Sequence, residues 1–194
     1  MTYQTTAPLT NYRLTIRNHT ASEVAGHVFS QTDMRPPYQR GDVWTTEQRM
    51  GLVRSWLMGV PVPAIVLNNR CSPVWEGEHP DETGGPAWAV VDGKQRMQTA
   101  KMWFTGQIFV PRSWLPRGDA PGYKYTDDGP YSSFNDLSDV AYRRCRRSFI
   151  LPVIEAELPT VQAEAELYLL LNGGGTPQTD NDMANAARVA AEES

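Results

Sequence analysis

The segment AVVDGKQRMQTA, residues 89–100, joins an apolar run to an amphipathic one through an acid, a glycine and two cations. Its first part, with Ala87 and Trp88 before it, predicts a buried strand that ends at Asp92. The residues from Lys94 to Thr105 have the periodicity of an amphipathic helix. A strand followed at once by a helix places the whole sequence among the mixed α/β classes.

This turn also has the chemistry of an anion site. A helix start leaves backbone N–H groups unpaired and carries partial positive charge. Gly93 lets a ligand approach the backbone, while Lys94 and Arg96 add full charges suited to phosphate oxygens. Asp92 would then hold Mg²⁺ or a ligand hydroxyl. The alternative is an acid that caps a helix whose first-turn cations are solvated.

Outward from this turn, strands and helices alternate along one chain. We expect a single α+β domain over residues 1–194, with a small mixed sheet, flanking helices, a core at about 10–110 and a C-terminal helical part at about 134–194. Strands are predicted at 12–16, 62–69, 87–92 and 149–158, and helices at 20–29, 45–59, 94–105, 161–171 and 179–193. Residues 70–86 and 111–133 are predicted to be long loops, which are commonly functional or disordered.

The helix at 45–59 carries the clearest signals. Thr45 and Gln48 predict a capping box at its start, and Gly59 predicts its end. Its apolar residues predict a buried stripe made of Met50, Val53, Trp56 and Leu57.

Two further segments have the composition of binding loops. In RPPYQRGDVW, Arg35 and Arg40 flank Tyr38 and Gln39 in a loop stiffened by two prolines, which suits a base, a sugar phosphate or a carboxylate. The alternative is a structural loop whose aromatic residues pack on the core. In LNGGGTP, consecutive glycines suggest close approach to a ligand, and a flexible hinge is the alternative. Its candidate hydrogen-bonding residues are Asn172 and Thr176, together with Asn185 further along the chain.

The net charge of the sequence limits which part of its surface could bind nucleic acid. The formal net charge is −4, so DNA would have to be bound by a local basic patch. The strongest such patch in the sequence is YRRCRRSF, with Arg143, Arg144, Arg146 and Arg147. A solvated helix face is the alternative interpretation.

Cysteine usage and hydropathy indicate the compartment. Cys71 and Cys145 are the two cysteines of the sequence, and neither belongs to a CxxC pair or has histidine at ligand spacing, which argues against zinc. Their isolation and the lack of a signal peptide favour a reducing cytoplasm, with a single disulfide as the alternative. No apolar run reaches the ~18 residues of a membrane span, so we expect no membrane partner.

Three segments, taken in order, resemble the N-terminal domain of GmrSD-type modification-dependent restriction enzymes, which belongs to the ParB/sulfiredoxin-like superfamily. They begin at PPYQRGDVW, VVDGKQR and LYLLLNGGGTP. The family usually shows YQR-x-x-x-W, IDGQQR and LN-S-GG-T-P-L-T. The sequence departs from this pattern at Lys94, where the family has Gln, and at Gly173, where it has Ser.

The resemblance implies that the DGKQR segment cradles the phosphates of a nucleoside triphosphate, whose base it leaves open. Gly93, Lys94 and Arg96 would hold phosphates, Gln95 would position the attacking water or acceptor, and Arg40 would stabilise developing charge. Asp92 would orient Mg²⁺. The other positions that match the family's segments, and that the resemblance assigns to the nucleotide site, are Tyr38, Gln39 and Trp44 in the first segment and Asn172, Gly174, Gly175, Thr176 and Asn185 in the last.

We therefore expect a Mg²⁺-dependent enzyme of the ParB-like type that hydrolyses a nucleotide or transfers its phosphoryl group, acts on or is regulated by DNA, and is related to restriction of phage. The alternatives are a non-catalytic DNA-binding or regulatory module, and a nuclease subunit that needs a partner chain. Nuclease members of the family often carry a C-terminal HNH domain, which these residues lack. A homodimer or a separate nuclease subunit is the expected protein partner.

Overall fold

The structure, a computed structural model, describes residues 11–172 and 180–191. Helices and strands are mixed along the chain, which confirms the predicted α+β class. The strands are β1 (Leu14–Thr20), β2 (Thr32–Asp33), β3 (Ile65–Asn69), β4 (Trp88–Asp92), β5 (Phe109–Pro111), β6 (Lys124–Thr126), β7 (Gly129–Ser133) and β8 (Ile150–Ala156). The α-helices are α1 (Ala21–Glu23), α2 (Thr46–Leu57), α3 (Pro80–Thr83), α4 (Lys94–Phe104), α5 (Asp139–Ser148), α6 (Val161–Asn172) and α7 (Asp180–Ala191).

The main sheet is mixed and has the strand order β1-β8-β3-β4-β2. The outer strand β1 is antiparallel to β8, β8 is parallel to β3, and β3 is antiparallel to β4. The short β2 closes the other edge in parallel with β4. The C-terminal part of the chain, expected to be mainly helical, thus also supplies the strand that lies between β1 and β3.

Two apolar clusters cover the two faces of this sheet. Successive side chains of a strand point to opposite faces, and accordingly Val90 packs in one cluster and Val91 in the other. The first cluster is built by α2 and α4, with Trp56 and Trp103 against Phe149. The second is built by α6 and α7. The strand β4 is therefore covered on both faces, which explains its apolar sequence.

In helix α2 the predicted N-terminal cap is confirmed, but the buried residues differ in part from those predicted. Thr45 and Gln48 form the capping box. The buried residues of the helix are Arg49, Leu52, Val53 and Trp56, whereas Met50 is only half-buried. Arg49 can be buried because its guanidinium donates to Asp42, Gln95 and Thr99.

The prediction of a long loop at 111–133 is wrong. A short 3₁₀ turn, Arg112–Trp114, leads to a hairpin of β6 and β7, and β7 pairs with β5 to make a second sheet of order β5-β7-β6. Gly129, the first residue of β7 after the hairpin turn, has φ +113°, a conformation that glycine adopts without strain. Residues 70–86 contain α3 and the nearly buried Trp75, which lies under the Arg70 guanidinium.

Cys71 and Cys145 are both free. Burial raises the pKa of the Cys145 thiol to about 11, so this sulfur stays protonated at neutral pH. In the part of the chain that the structure describes, no helix combines the length and the apolar character needed to cross a membrane.

Candidate functional site

A cavity of about 60 Å³, hereafter the small cavity, lies where β4 ends and α4 begins. It brings together residues from all three segments singled out in the sequence, which are far apart along the chain. Its lining is Gln39, Arg40, Trp44, Asp92, Gly93, Lys94, Gln95, Arg96, Tyr168 and Asn172.

Gly93 fixes the geometry at the start of α4. Its φ of +87° belongs to the left-handed region, and a Cβ at this position would lie 2.4 Å from Cγ2 of Ile65. Only glycine fits both the turn and the approach of β3. The first helical hydrogen bond runs from the N–H of Met97 to the carbonyl of Gly93 at 3.0 Å.

The N-terminus of α4 is left open. No side chain caps it. Within residues 11–172 and 180–191, the backbone N–H groups of Lys94, Gln95 and Arg96 have no acceptor. Unpaired N–H groups at a helix start attract anions through their partial positive charge. The start of α4 therefore has the free N–H groups on which the sequence-based prediction of an anion site depends, and anion binding itself stays a prediction.

Arg96 is held beside Asp92 at the rim of this site. Its Nη2 donates to Oδ2 of Asp92 at 2.6 Å and to the carbonyl of Ala64 at 3.0 Å. Its Nε is buried without a partner among the described residues. Nη1 likewise contacts none of them. The ion pair therefore orients the guanidinium and leaves donors for a ligand.

Lys94 and Gln95 clamp the loop that carries Arg40. The Nζ of Lys94 donates to the carbonyl of Arg40 at 2.6 Å, and Nε2 of Gln95 donates to the carbonyl of Gly41 at 3.1 Å. Oε1 of Gln95 accepts from the N–H of Trp44 at 3.4 Å. The sequence predicts contacts with phosphate and water for these two side chains, whereas the structure shows them positioning the Arg40 segment.

The electrostatics of Lys94 reflect this position. The residue is buried, and burial lowers the pKa of its ammonium below the usual 10.5. The positive charge of Arg35 lowers this pKa further, while Asp42 and Asp33 act in the opposite direction. An ammonium that is costly to keep charged gains from an anionic neighbour.

Tyr38 lies in the core, and direct contact with a nucleotide, as expected from the sequence, does not fit its position. It is 1% exposed, and its hydroxyl donates to Oε2 of Glu164 at 3.0 Å. The alternative interpretation, packing on the core, describes it correctly. Gln39 lines the small cavity, but its Nε2 donates to the carbonyls of Val90 and Val91 at 3.0 and 2.7 Å.

A buried ion pair of Glu164 and Arg70 close to the site was missed by sequence reasoning. Glu164 is fully buried and accepts from Arg70 at 2.9 and 2.7 Å and from Nδ2 of Asn68 at 2.8 Å. Further along α6, Tyr168 after about one turn and Asn172 after about two turns line the small cavity. A glutamate in the apolar stripe of α6 was the available signal.

The third segment is only partly described. Asn172 lines the small cavity, and its Nδ2 donates to the carbonyl of Tyr168 at 2.8 Å. Gly174, Gly175 and Thr176 lie outside the described residues, so their expected contacts with a nucleotide stay predictions.

The carboxylates do not form a preassembled metal centre. In the described ranges, no cluster of three or more His, Cys, Asp or Glu side chains is placed to hold a metal ion. Asp92 is a single carboxylate, with Oδ2 bound by Arg96. Mg²⁺ commonly takes one or two protein carboxylates and completes its shell with water and substrate phosphates. Asp92 therefore fits Mg²⁺ that arrives with a nucleotide.

The arginine cluster lies on α5, at a separate groove. Arg144 forms an ion pair with Asp119. Arg143, Arg146 and Arg147 are exposed and line a groove of about 490 Å³, hereafter the arginine groove. The other residues of its lining are Thr20, Ser22, Glu23 and Tyr142.

Comparison with known proteins identifies the family. The family described as "GmrSD restriction endonuclease, N-terminal domain" matches residues 25–188, which include the start of α4 and the loop that carries Arg40. No curated protein and no solved structure matches the chain. The match covers most of the sequence, and the chain belongs to the family of GmrSD restriction endonuclease N-terminal domains.

Proposed function

We propose that this domain, a restriction-related module by its family, binds the phosphates of a nucleoside triphosphate with Mg²⁺ at the start of α4 and hydrolyses or transfers the terminal phosphoryl group. We further propose that it acts on DNA or is regulated by it. The observation that carries the proposal is the uncapped N-terminus of α4, which opens on a small cavity flanked by Arg40 and Arg96.

The roles follow from the contacts. The free N–H groups of α4 would bind phosphate oxygens, and Arg96, oriented by Asp92, would donate to them from Nη1 and Nε. Arg40 would approach the phosphates from the facing loop, since Lys94 and Gln95 hold its backbone in place. Positioning and charge stabilisation of this kind account for most catalysis of phosphoryl transfer.

Mg²⁺ would neutralise phosphate charge and align the phosphoryl group. Asp92 is the residue placed to hold it, because Oδ1 has no contact among the described residues while Oδ2 is bound to Arg96. The same ion pair would keep the carboxylate from repelling the phosphates.

The test is phosphate release from each of the four ribonucleoside triphosphates with Mg²⁺, with and without DNA. Arg40→Ala is the informative variant, because the Arg40 guanidinium contacts none of the described residues and its loss should leave the fold intact. Arg117→Ala, an exposed arginine that lines neither the small cavity nor the arginine groove, is the matched control.

We expect turnover in the wild type and in Arg117→Ala, and a loss of at least tenfold in Arg40→Ala. One charge-assisted contact removed is worth about 1.5–3 kcal/mol, or roughly a factor of 10 to 150. Absence of both turnover and binding for every nucleotide would overturn the proposal. Turnover that Arg40→Ala leaves unchanged would remove Arg40 from the site.

A second candidate function is a DNA-binding module without turnover. The arginine groove supports it, because Arg143 and Arg147 are exposed and have no partner in the described parts of the chain. Duplex DNA bound with the same affinity in the presence and absence of nucleotide, without phosphate release, would favour this function over the first.

A further inference from the structure

A second and larger cavity adjoins the small one. Its volume is about 570 Å³, and it is hereafter the large cavity. Gln39, Arg40 and Lys94 line both cavities, so the two meet along this shared wall. The rest of the lining of the large cavity is Phe29, Met34, Arg35, Gly41, Asp42 and Gln98.

The two cavities differ in the size of the ligand that each can hold. A water molecule takes ~30 Å³ of liquid, so the small cavity of about 60 Å³ has space for about two water molecules and is too small for a whole nucleotide. Sites for whole small molecules measure ~300–1,000 Å³, a range that includes the large cavity. A nucleotide whose phosphate lies at α4 must place its sugar and base elsewhere, and the large cavity begins at the same residues.

The lining of the large cavity suits a nucleoside. Phe29 and Met34 are partly buried apolar side chains that also pack against the core, and they offer a surface for the face of a base. Arg35 is exposed at this cavity. Its guanidinium has no partner in the described part of the chain, since its contact with Asp33 runs through the backbone N–H.

Gln98 adds a polar group without a function in the fold. Its Oε1 is buried and has no hydrogen-bond partner among the described residues. Buried acceptors without partners are rare and costly in folded proteins. Gln98 lies one helical turn after Lys94 on α4. Residues four apart lie on the same face of a helix, so the two side chains are neighbours. An amide at this place can accept from one group and donate to the next along the edge of a base.

We propose that the large cavity is the nucleoside subsite of the proposed nucleotide site, and that Gln98 is the residue that recognises the base. This inference rests on the proposed function and adds to it the place where the nucleoside lies and the residue that distinguishes its base. Arg35 assists at the mouth of the cavity, and the shared wall of Gln39, Arg40 and Lys94 receives the part of the ligand that joins sugar to phosphate.

The experiment compares two ligands by calorimetric titration in the presence of Mg²⁺. One is the nucleoside triphosphate that the wild type binds most tightly, and the other is inorganic tripolyphosphate, which has no nucleoside. The variants are Gln98→Ala and Arg35→Ala. Gln107→Ala, a glutamine that lies outside both cavities, is the matched control.

We expect the wild type to bind the nucleotide at least tenfold more tightly than tripolyphosphate. Gln98→Ala should weaken nucleotide binding about three- to tenfold, the value of a neutral hydrogen bond, and reduce the preference among the four bases. Binding of tripolyphosphate should not change in Gln98→Ala, and Gln107→Ala should behave as the wild type with both ligands.

The outcomes are distinguishable. If neither ligand binds the wild type, the proposed function fails and this inference with it. If both bind equally well, or if Gln98→Ala changes neither affinity nor base preference, the phosphate site stands and the nucleoside subsite is overturned. If Gln98→Ala weakens binding of single-stranded DNA and leaves nucleotide binding intact, the large cavity serves the nucleic acid and the inference is also wrong.

Discussion

The carboxylate of Glu164 and the guanidinium of Arg70 face each other in the core, with contacts of 2.9 and 2.7 Å. Glu164 is fully buried, and Arg70 keeps 12% of its side chain exposed. Nη1 of Arg70 extends the pair to Asp33 at 3.1 Å. The pair therefore joins α6 to the residue that follows β3 and, through Asp33, to the end of β2. Because Asn172 is the last residue of α6, the pair also sets the position of Asn172.

Glu164→Gln should destabilise the fold strongly. The substitution keeps the size of the side chain but leaves Arg70 with Asp33 as its remaining acidic partner. Removal of one partner from a buried pair costs about 3–5 kcal/mol. The measurement is the free energy of unfolding from urea denaturation. Glu166→Gln, an exposed position on the same helix, should change this free energy by less than about 0.5 kcal/mol.

A loss below about 1 kcal/mol in Glu164→Gln would show that the pair contributes no more than an ordinary hydrogen bond. In that case α6 would be held by its apolar contacts with β4 and α7, which are also extensive.

Gly93→Ala should be far more harmful than Gly59→Ala. Both glycines have positive φ, +87° and +69°, which costs alanine about 1–2 kcal/mol. A methyl group at Gly59 meets nothing within 4 Å, whereas at Gly93 it would lie 2.4 Å from Cγ2 of Ile65 and 3.0 Å from its Cα. The added clash should cost a further 1–3 kcal/mol or so.

The difference between the two variants in thermal and urea unfolding measures this clash. Equal losses would mean that β3 can move away from the turn. Ile65→Ala removes Cγ2, the nearest obstructing atom. The loss caused by Gly93→Ala should therefore be smaller in an Ile65→Ala background than in the wild type, whereas the loss caused by Gly59→Ala should be the same in both, because only the first pair is in contact.

Nucleotide affinity should fall as the pH rises towards the pKa of Lys94. Burial lowers this pKa below 10.5, so the ammonium of the free protein begins to lose its proton below that value. A bound phosphate favours the charged form and raises the pKa again. Binding therefore takes up protons at alkaline pH, and affinity is constant at neutral pH and decreases above it.

Calorimetry at an alkaline pH below 10.5, in two buffers of different ionisation enthalpy, should report this proton uptake directly. Lys94→Arg keeps the charge over the whole range and should remove the pH dependence. If the nucleotide affinity of Lys94→Arg decreases at alkaline pH to the same extent, the group that titrates is on the ligand or is another residue.

DNA binding in the arginine groove should depend less steeply on salt concentration when Arg147 is replaced. Each phosphate contact contributes about 0.9 to the slope of log K against log salt concentration on duplex DNA. Arg147→Ala should lower the slope by about this amount. Arg144→Ala should change it less, because Arg144 is paired with Asp119, and an unchanged slope in Arg147→Ala would exclude it as a phosphate contact.

The sequence was sufficient where one local signal dominates. The apolar run before Asp92, the glycine and the periodicity after it predicted β4 and α4, and the Thr45–Gln48 capping box was read correctly. Gln39, Arg40, Asp92, Arg96 and Asn172 were all proposed for one site, and all line the small cavity. The resemblance to the family, rather than any local pattern, thus indicated which distant segments meet.

What the sequence did not reveal depends on long-range partners. Burial of Arg49 requires Asp42 and Gln95, and burial of Glu164 requires Arg70 and Asn68, none of which is visible from local periodicity. Tyr38 has the residue type of a ligand contact but finds its hydrogen bond in the core. The hairpin of β6 and β7 lies in a Pro- and Gly-rich stretch whose composition is that of a loop.

The position of β8 between β1 and β3 has a consequence for synthesis of the chain. Thr20 of β1 pairs with Ile150, which leaves the ribosome about 130 residues later, after roughly 6–26 s at the usual elongation rates. Until then β1 lacks the neighbour with which it pairs in the sheet, and β3 lacks one of its two. Nascent chains of this domain should therefore expose strand edges for seconds, and their survival in the cell should depend on chaperones that cover such edges.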